Sequence, residues 1–324
     1  MARSRRRLFP ILFLLLTVLL LVNSLMPSDP VGYQPPVDDR QGFIAQSDLP
    51  EMVKSKPLSI HPTAEPEAIQ AAPQATESTP EPISLQPKEA TALHRCDELA
   101  ASPNDPATTG LGVELAQIDG PAAEEACRDA VAQYPHIARY KMQLGRALQK
   151  QTKWMAARKN YEAAAGRGDV AAQYLLGSML VRGLGGQKSL RQGVSLVKQA
   201  AVAKLPAAQY FLGVLHANGR GVRKDDKQAL AWLRQAAMGG SREGMFNLGK
   251  MLFMGRDGKQ KKQEGFRWIK QAAEKGLAEA QFIMGQFAER GLGMQRNRDA
   301  AIQWYQQAAK QGHYKAREKI RRNR

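Results

Sequence analysis

Lys198-Gln199-Ala200-Ala201 returns as Arg234-Gln235-Ala236-Ala237, Lys270-Gln271-Ala272-Ala273 and Gln306-Gln307-Ala308-Ala309, 36 residues apart each time. A second marker keeps the same step: Gly177, Gly213, Gly249 and Gly285 each interrupt an apolar run. Each is followed six residues later by another glycine, at Gly183, Gly219, Gly255 and Gly291. A fixed period of this length marks a solenoid, in which no unit can bury its apolar face alone and each stacks on the next. The glycines divide the region into units 170–205, 206–241, 242–277 and 278–313. Each has a first helix such as Ala207–Asn218, a glycine turn, and a second helix such as Asp226–Met238. Three first-helix positions form an apolar stripe at helical spacing: Tyr174, Tyr210, Phe246 and Phe282; Leu176, Leu212, Leu248 and Met284; Met179, Leu215, Met251 and Phe287. A glycine inside a helix costs about 1 kcal/mol, so its fourfold recurrence implies close helix–helix approach. The turn glycines suit positive φ and end the first helix.

Outward from the repeats, the charge is uneven. The 324 residues carry a net +17. Residues 137–324 hold +25 of it, whereas 27–90 and 91–136 each carry −6. Residues 1–26 open with Arg3, Arg5, Arg6 and Arg7, then run uncharged from Leu8 to Met26. That pattern fits a signal peptide or an uncleaved anchor of nearly the ~20 residues that cross a bilayer, with the arginines in the cytoplasm. An inner-membrane anchor with the rest of the chain in the periplasm is the favoured expectation; cleavage near Ser24, giving a soluble periplasmic protein, is the alternative. Residues 27–90 hold 12 of the 18 prolines and read as a disordered linker.

Cys96 and Cys127 are the only cysteines. In an oxidising compartment an isolated pair is most simply one disulfide, here joining two short helices expected over Thr91–Ala101 and Pro121–Tyr134. Closing a loop of about 30 residues would stabilise that pair by roughly 3 kcal/mol on the chain-entropy model. Metal binding by these thiols lacks partners, since only His94 lies near in sequence.

Ala207-Ala208-Gln209-Tyr210-Phe211-Leu212-Gly213, Asn218-Gly219-Arg220-Gly221-Val222 and Ala231-Trp232-Leu233-Arg234-Gln235-Ala236-Ala237 resemble the Sel-one-like repeat (SLR) family, a relative of the tetratricopeptide repeat. The resemblance covers 170–313 and implies an all-α, right-handed α-solenoid. The first unit has Leu196 where the others have Trp. The third departs most, with Lys259-Gln260-Lys261-Lys262 after its turn and Gly265 in place of a helix alanine. Leu144, Gly145, Ala157, Tyr161 and Ala164 have the spacing of a tetratricopeptide unit over 137–169. Residues 91–136 form a two-cysteine helical segment before it, and 314–324 a basic capping helix after the array. An acidic two-cysteine segment ahead of such repeats is similar to exported bacterial SLR proteins.

Several tempting strings dissolve into the period. Gly183-Leu184-Gly185-Gly186-Gln187-Lys188-Ser189 has phosphate-loop residues, but its Lys does not directly follow the Gly and the same turn recurs without Lys-Ser. Arg167-Gly168-Asp169 falls on the inter-repeat turn shared with Gly240, Gly276 and Gly312. Trp232, Trp268 and Trp304 recur at one second-helix position and read as core. The five histidines never cluster in sequence, and His216 alone breaks an apolar column. With no nucleophile–base pattern, paired carboxylates or metal-ligand spacing, neither an enzyme nor a cofactor is expected. A hydrolase of the cysteine-rich SLR kind is the outlying alternative.

What remains is positive charge on a repeat scaffold, which implies an anionic partner. Nucleic acid suits the charge but not an exported address. The expectation is therefore a protein–protein adaptor or regulator in the bacterial envelope, binding an acidic protein. A binder of anionic envelope polymer or lipid surface is the runner-up. The fold resemblance places Arg146, Lys150, Arg182, Lys250 and Arg290 on a concave groove. His216 is a further candidate there; Lys259, Lys261 and Lys262 form a second patch, and Arg317, Arg321, Arg322 and Arg324 a third.

Overall fold

Helix starts and stops follow the local chemistry of the sequence. Asp169, Asp225, Ser241 and Asn297 each accept a hydrogen bond from a backbone N–H in the first turn of the helix they precede. At the other end, Gly183, Gly219, Gly255 and Gly291 terminate the first helices in the left-handed conformation, with φ of 67° to 78°. The computed structural model describes residues 94–103, 112–256, 258 and 260–322, all within one unit of the chain.

Among the described residues there are thirteen α-helices and no strand. They are α1 (Arg95–Ala100), α2 (Gly120–Gln133), α3 (Ala138–Lys150), α4 (Trp154–Ala165), α5 (Val170–Arg182), α6 (Leu190–Val202) and α7 (Pro206–Asn218). They continue as α8 (Asp226–Met238), α9 (Arg242–Met254), α10 (Lys262–Glu274), α11 (Ala278–Arg290), α12 (Arg298–Lys310) and α13 (Tyr314–Arg322). Each helix from α3 to α12 packs on its neighbours in sequence, in the pairs α3–α4, α5–α6, α7–α8, α9–α10 and α11–α12. This is an α-solenoid of stacked helix pairs. Among the described residues no helix is long and apolar enough to cross a membrane; the Leu8–Met26 segment and the 27–90 linker lie outside them.

Within a pair, the helices meet at the recurring glycine. A Cβ on Gly285 would lie 2.5 Å from Tyr305 Cε1, and one on Gly145 2.5 Å from Tyr161 Cε1. Gly177 and Gly249 face Val197 and Ile269 the same way, at 2.8 and 2.7 Å, and Gly213 faces Leu233 at 2.8 Å. The facing residues Tyr161, Val197, Leu233, Ile269 and Tyr305 step by 36 and are fully buried. The core column is thus one residue beyond the tryptophans. Trp232, Trp268 and Trp304 are half-buried and pack on the edge of the core instead of inside it. The apolar stripe of the first helices is buried as expected, with Tyr174 only partly covered.

Polar contacts fasten one unit to the next. Gln209 and Gln281 donate from Nε2 to the carbonyls of Ala201 and Ala273, each 3.2 Å away at the end of the preceding second helix. The arginine after the turn glycine reaches back to the preceding first helix: Arg220 Nη2 donates to Val181 O at 3.0 Å, and Arg256 Nη2 to Ala217 O at 3.2 Å. Positive groups at helix C-termini are favoured by the dipole. Ion pairs Arg256–Asp226, Arg234–Glu264 and Lys319–Glu289 repeat the same step of 30 residues.

At the N-terminal edge, Cys96 and Cys127 are bonded and link α1 to α2. Beside them the fully buried Asp97 carboxylate accepts from Gln143 Nε2 at 2.8 Å and the His94 amide at 3.0 Å, with Arg139 Nε 3.3 Å away.

Helix propensity alone makes Gly285→Ala stabilising by about 1 kcal/mol. The contact with Tyr305 reverses the sign: the substitution is expected to destabilise by about 1–3 kcal/mol through overpacking. Thermal unfolding of the two proteins checks it, and a rise in midpoint would contradict the close approach.

Candidate functional site

Helices α3, α5, α7, α9 and α11 carry the residues expected to line a groove. The structure treats them unequally. Arg146, directly after the packing glycine of α3, is 5% exposed. Its Nη1 donates to the carbonyls of Ala100, at 2.8 Å, and of Ala101, and its Nη2 to Val113 O at 2.6 Å. One turn on, Lys150 is exposed, and its Nζ donates to Ala116 O at 2.5 Å. Both cations are therefore engaged by the chain's own N-terminal arm, residues 112–118. This arm enters with Val113 N–H donating to Ala101 O at 2.9 Å and makes a short 3₁₀ turn over Leu115–Gln117. Val113 and Leu115 pack on the core beneath, and Ile118 is buried.

The charge of the arm is also felt in a unit far along the chain. Arg242, in the first turn of α9, is paired with Glu243 at 3.0 Å. Burial pulls its pKa down, but Glu243, Glu114 and Glu279 together hold it above the ordinary arginine value. Glu114, the acid of the arm, thus acts on a first helix three repeat units beyond α3.

Lys250 is 3% exposed, with Nζ 5.5 Å from the Phe246 ring centre. It is an inward cation–π group, not a surface charge as expected. Arg182 is half-buried over the Phe211 ring at 5.5 Å, and Arg290 is exposed. His216 is also half-buried. Burial lowers its pKa against the opposing pull of Asp225 and a hydrogen bond to the Arg223 backbone carbonyl. Lys259 lies outside the described residues. Lys261 is exposed, and Lys262 is half-buried at the start of α10. Of the C-terminal basic residues, Arg317 donates to Ala309 O, Lys319 pairs with Glu289, and Arg322 pairs with Glu318; Arg324 lies outside the described residues. Among the described residues no group of three His, Cys, Asp or Glu side chains could hold a metal ion.

The near phosphate loop is a packing turn: a Cβ on Gly185 would fall 2.4 Å from the Trp154 carbonyl oxygen. Asp169 of the adhesion-like tripeptide caps α5 through Ala172 N–H at 2.7 Å. Sequence reasoning passed over Glu114, Gln143 and Arg242. Gln143 alone carried a signal, a buried-position polarity in α3, where Arg139, Gln143 and Arg146 face one way at helical spacing.

Paired antiparallel helices stacked with glycine-mediated contacts define a helical-repeat protein, a scaffold that offers surface more than a cleft. Residues 170–201, 206–241, 242–277 and 278–313 match the Sel1 repeat family, and the chain is a Sel1-repeat (SLR) protein. Among solved structures, a Sel1 repeat protein from Oxalobacter formigenes is similar at TM-score 0.54 and 23% identity, over 63% of this chain and 60% of that one. A second, c5321, is described as a protective antigen present in uropathogenic Escherichia coli strains displaying an SLR fold. It gives TM-score 0.50 at 26% identity, over 63% of this chain and 44% of that one. The match thus spans less than two thirds of either relative. No curated protein matches the chain. Sel1 repeats in general mediate protein–protein interactions.

Two outcomes follow from the N-terminal geometry. Lys153, 2.7 Å away, lowers the Glu124 carboxyl from 4.5 to about 2, outweighing burial, with Arg128 and Gln151 adding to it. A depressed folded-state value stabilises above pH 4.5, and that contribution is lost as pH falls toward 2. Glu124→Gln should therefore flatten the pH dependence of melting of the α2–α3 edge over that window, read by circular dichroism. Arg146→Met, which keeps the bulk but strips the Ala100 and Val113 carbonyls of this donor and leaves Ala101 O to Val113 N–H alone, should cost about 3 kcal/mol and speed amide exchange in residues 113–118.

Proposed function

We propose that this Sel1-repeat protein is a non-enzymatic adaptor or regulator of the bacterial cell envelope, whose solenoid binds an acidic protein or peptide. The observation that carries the reading is the +25 net charge of residues 137–324, on a fold whose repeats mediate protein–protein interactions. Internal pairing consumes part of this charge, at Arg234, Arg256 and Lys319. Arg290 and Lys261 remain exposed.

The start of α10 supports the same reading. The neighbouring second helices α8 and α12 begin behind Asp225 and Asn297, whose side chains cap them. Helix α10 begins behind Lys261 with no side-chain cap, and Lys262 is its first residue. Cations at a helix N-terminus oppose the dipole by roughly 0.3–1 kcal/mol. Lys261 and Lys262 thus add positive charge where the helix end is itself positive. The envelope address rests on Arg3, Arg5, Arg6 and Arg7 ahead of Leu8–Met26, which favours an inner-membrane anchor with the repeats in the periplasm.

Crosslinking and affinity capture from envelope extract test the proposal, using the full chain and a variant with Lys261→Glu, Lys262→Glu and Arg290→Glu. A stoichiometric protein should be captured by the parent and lost with the triple reversal. Its retention should weaken as salt rises and shortens the range of charge attraction. Capture of the same proteins by both chains would refute the basic-surface reading. Retention on acidic glycan or anionic vesicles, with no protein captured, would replace it with an envelope-polymer or lipid binder.

A further inference from the structure

We propose that the first-helix face spanning α3 to α9 is a binding site for a short acidic protein segment, and that residues 112–118 are its resident occupant, displaced when a partner segment binds. This deepens the adaptor reading and rests on it.

The contacts supply the recognition chemistry. Arg146 and Lys150 donate to three backbone carbonyls outside the solenoid and beyond α1's last residue, those of Ala101, Val113 and Ala116. Carbonyl recognition is blind to side chains, so it fixes the path of a bound segment without choosing its sequence. Choice comes from two further features. Apolar side chains at alternate positions, Val113 and Leu115, pack on the core. Between them, Glu114 projects as an exposed carboxylate within electrostatic reach of Arg242. The segment suited to this face is therefore apolar–acidic–apolar, lying with its carbonyls toward Arg146 and Lys150 of α3.

The resident segment is built to leave. Between Gly112 and Ile118 only the last side chain is buried, and Glu114, Ala116 and Gln117 are exposed. Among the described residues of the arm, Gln117 and Ile118 N–H bond only to carbonyls of the arm itself, and Val113 N–H bonds to Ala101. Apart from the Arg146 and Lys150 hydrogen bonds and the Ile118 side chain, the segment therefore has few contacts to break when it opens. It remains bound because it is tethered: the disulfide hairpin before and after it holds it at an effective concentration on the order of millimolar. A free partner segment must outcompete that concentration, which sets a threshold for engagement.

The test uses the full-length chain and a fluorescein-labelled octapeptide of the arm's own sequence, Gly112 to Asp119. The parent chain should show little binding by anisotropy, because the tethered arm holds the site. A chain carrying Val113→Asp and Leu115→Asp, which expel the arm, should bind the peptide at least tenfold more tightly. Adding Arg242→Glu to that chain should weaken binding by about threefold to fivefold, the size of an exposed ion-pair interaction. Equal binding by parent and arm-expelled chains, or no effect of Arg242→Glu, would overturn the site.

A milder comparison guards against misfolding of the double variant. In the otherwise native chain, Glu114→Lys should speed exchange of the 113–118 amides by about threefold to fivefold. The charge swap with Arg242→Glu should restore it, while amides of α5 to α12 stay unchanged. Unaltered exchange, or no restoration, would also count against the site. A captured envelope protein that neither competes with the octapeptide nor senses Arg242 would leave the adaptor reading standing and remove this site. Octapeptide binding with no captured partner would do the reverse.

Discussion

Everything in the described structure depends on one contact, the approach of a second-helix side chain onto a bare glycine backbone in the first helix. At five levels, from Gly145–Tyr161 to Gly285–Tyr305, a methyl group in place of hydrogen would sit inside van der Waals distance of its neighbour. The glycine sacrifices helix propensity, and the return is a helix pair close enough to exclude water along its whole seam. The neighbouring groups inherit that geometry. The glutamine tie to the preceding second helix, the arginine cap on the preceding first helix and the ion pairs 30 residues apart all need the pairs at one fixed separation.

The repeat fold was legible because its signals are local and redundant. Gly, Ala-Ala, turn Gly and apolar stripe recur in phase, so each position is read four times. The tryptophans misled for a reason visible in the packing. A large ring at a fixed register looks like core, but the fully buried column is the next residue, Val197, Leu233, Ile269 and Tyr305, whose chemistry varies more. The candidate site was read only halfway. Arg146 and Lys150 were singled out as groove residues of α3, yet in the structure their partners lie 33 to 46 residues away in a segment outside the repeats. Periodicity carries no information about contacts that occur once. Lys250 shows the complementary difficulty: its place in the repeat is visible, but its burial beside Phe246 depends on neighbouring units.

Charge in this chain works at two ranges. At short range, basic residues act as structural donors to carbonyls and as partners for a small number of acids, and most such exposed pairs contribute little to stability. At long range the excess remains, and a chain with 37 basic and 12 acidic residues from 137 onward sets up a potential that paired groups do not cancel. The same composition therefore serves both the fit between units and the attraction of a partner, and substitutions separate the two only where the side chain is exposed.

The arm of residues 112–118 has a consequence for how the array melts. A stack in which each unit touches only its neighbours unfolds like a one-dimensional chain, fraying from its ends and tolerating partial disorder. A strut that hydrogen-bonds α3 and acts electrostatically on α9 couples levels that share no direct seam. While the arm is seated, the N-terminal half opens more nearly as one body, whereas the C-terminal units, which no such strut joins among the described residues, retain the graded behaviour of a simple stack. One chain thus contains a more cooperative segment and a more gradual one for as long as those seven residues stay in place.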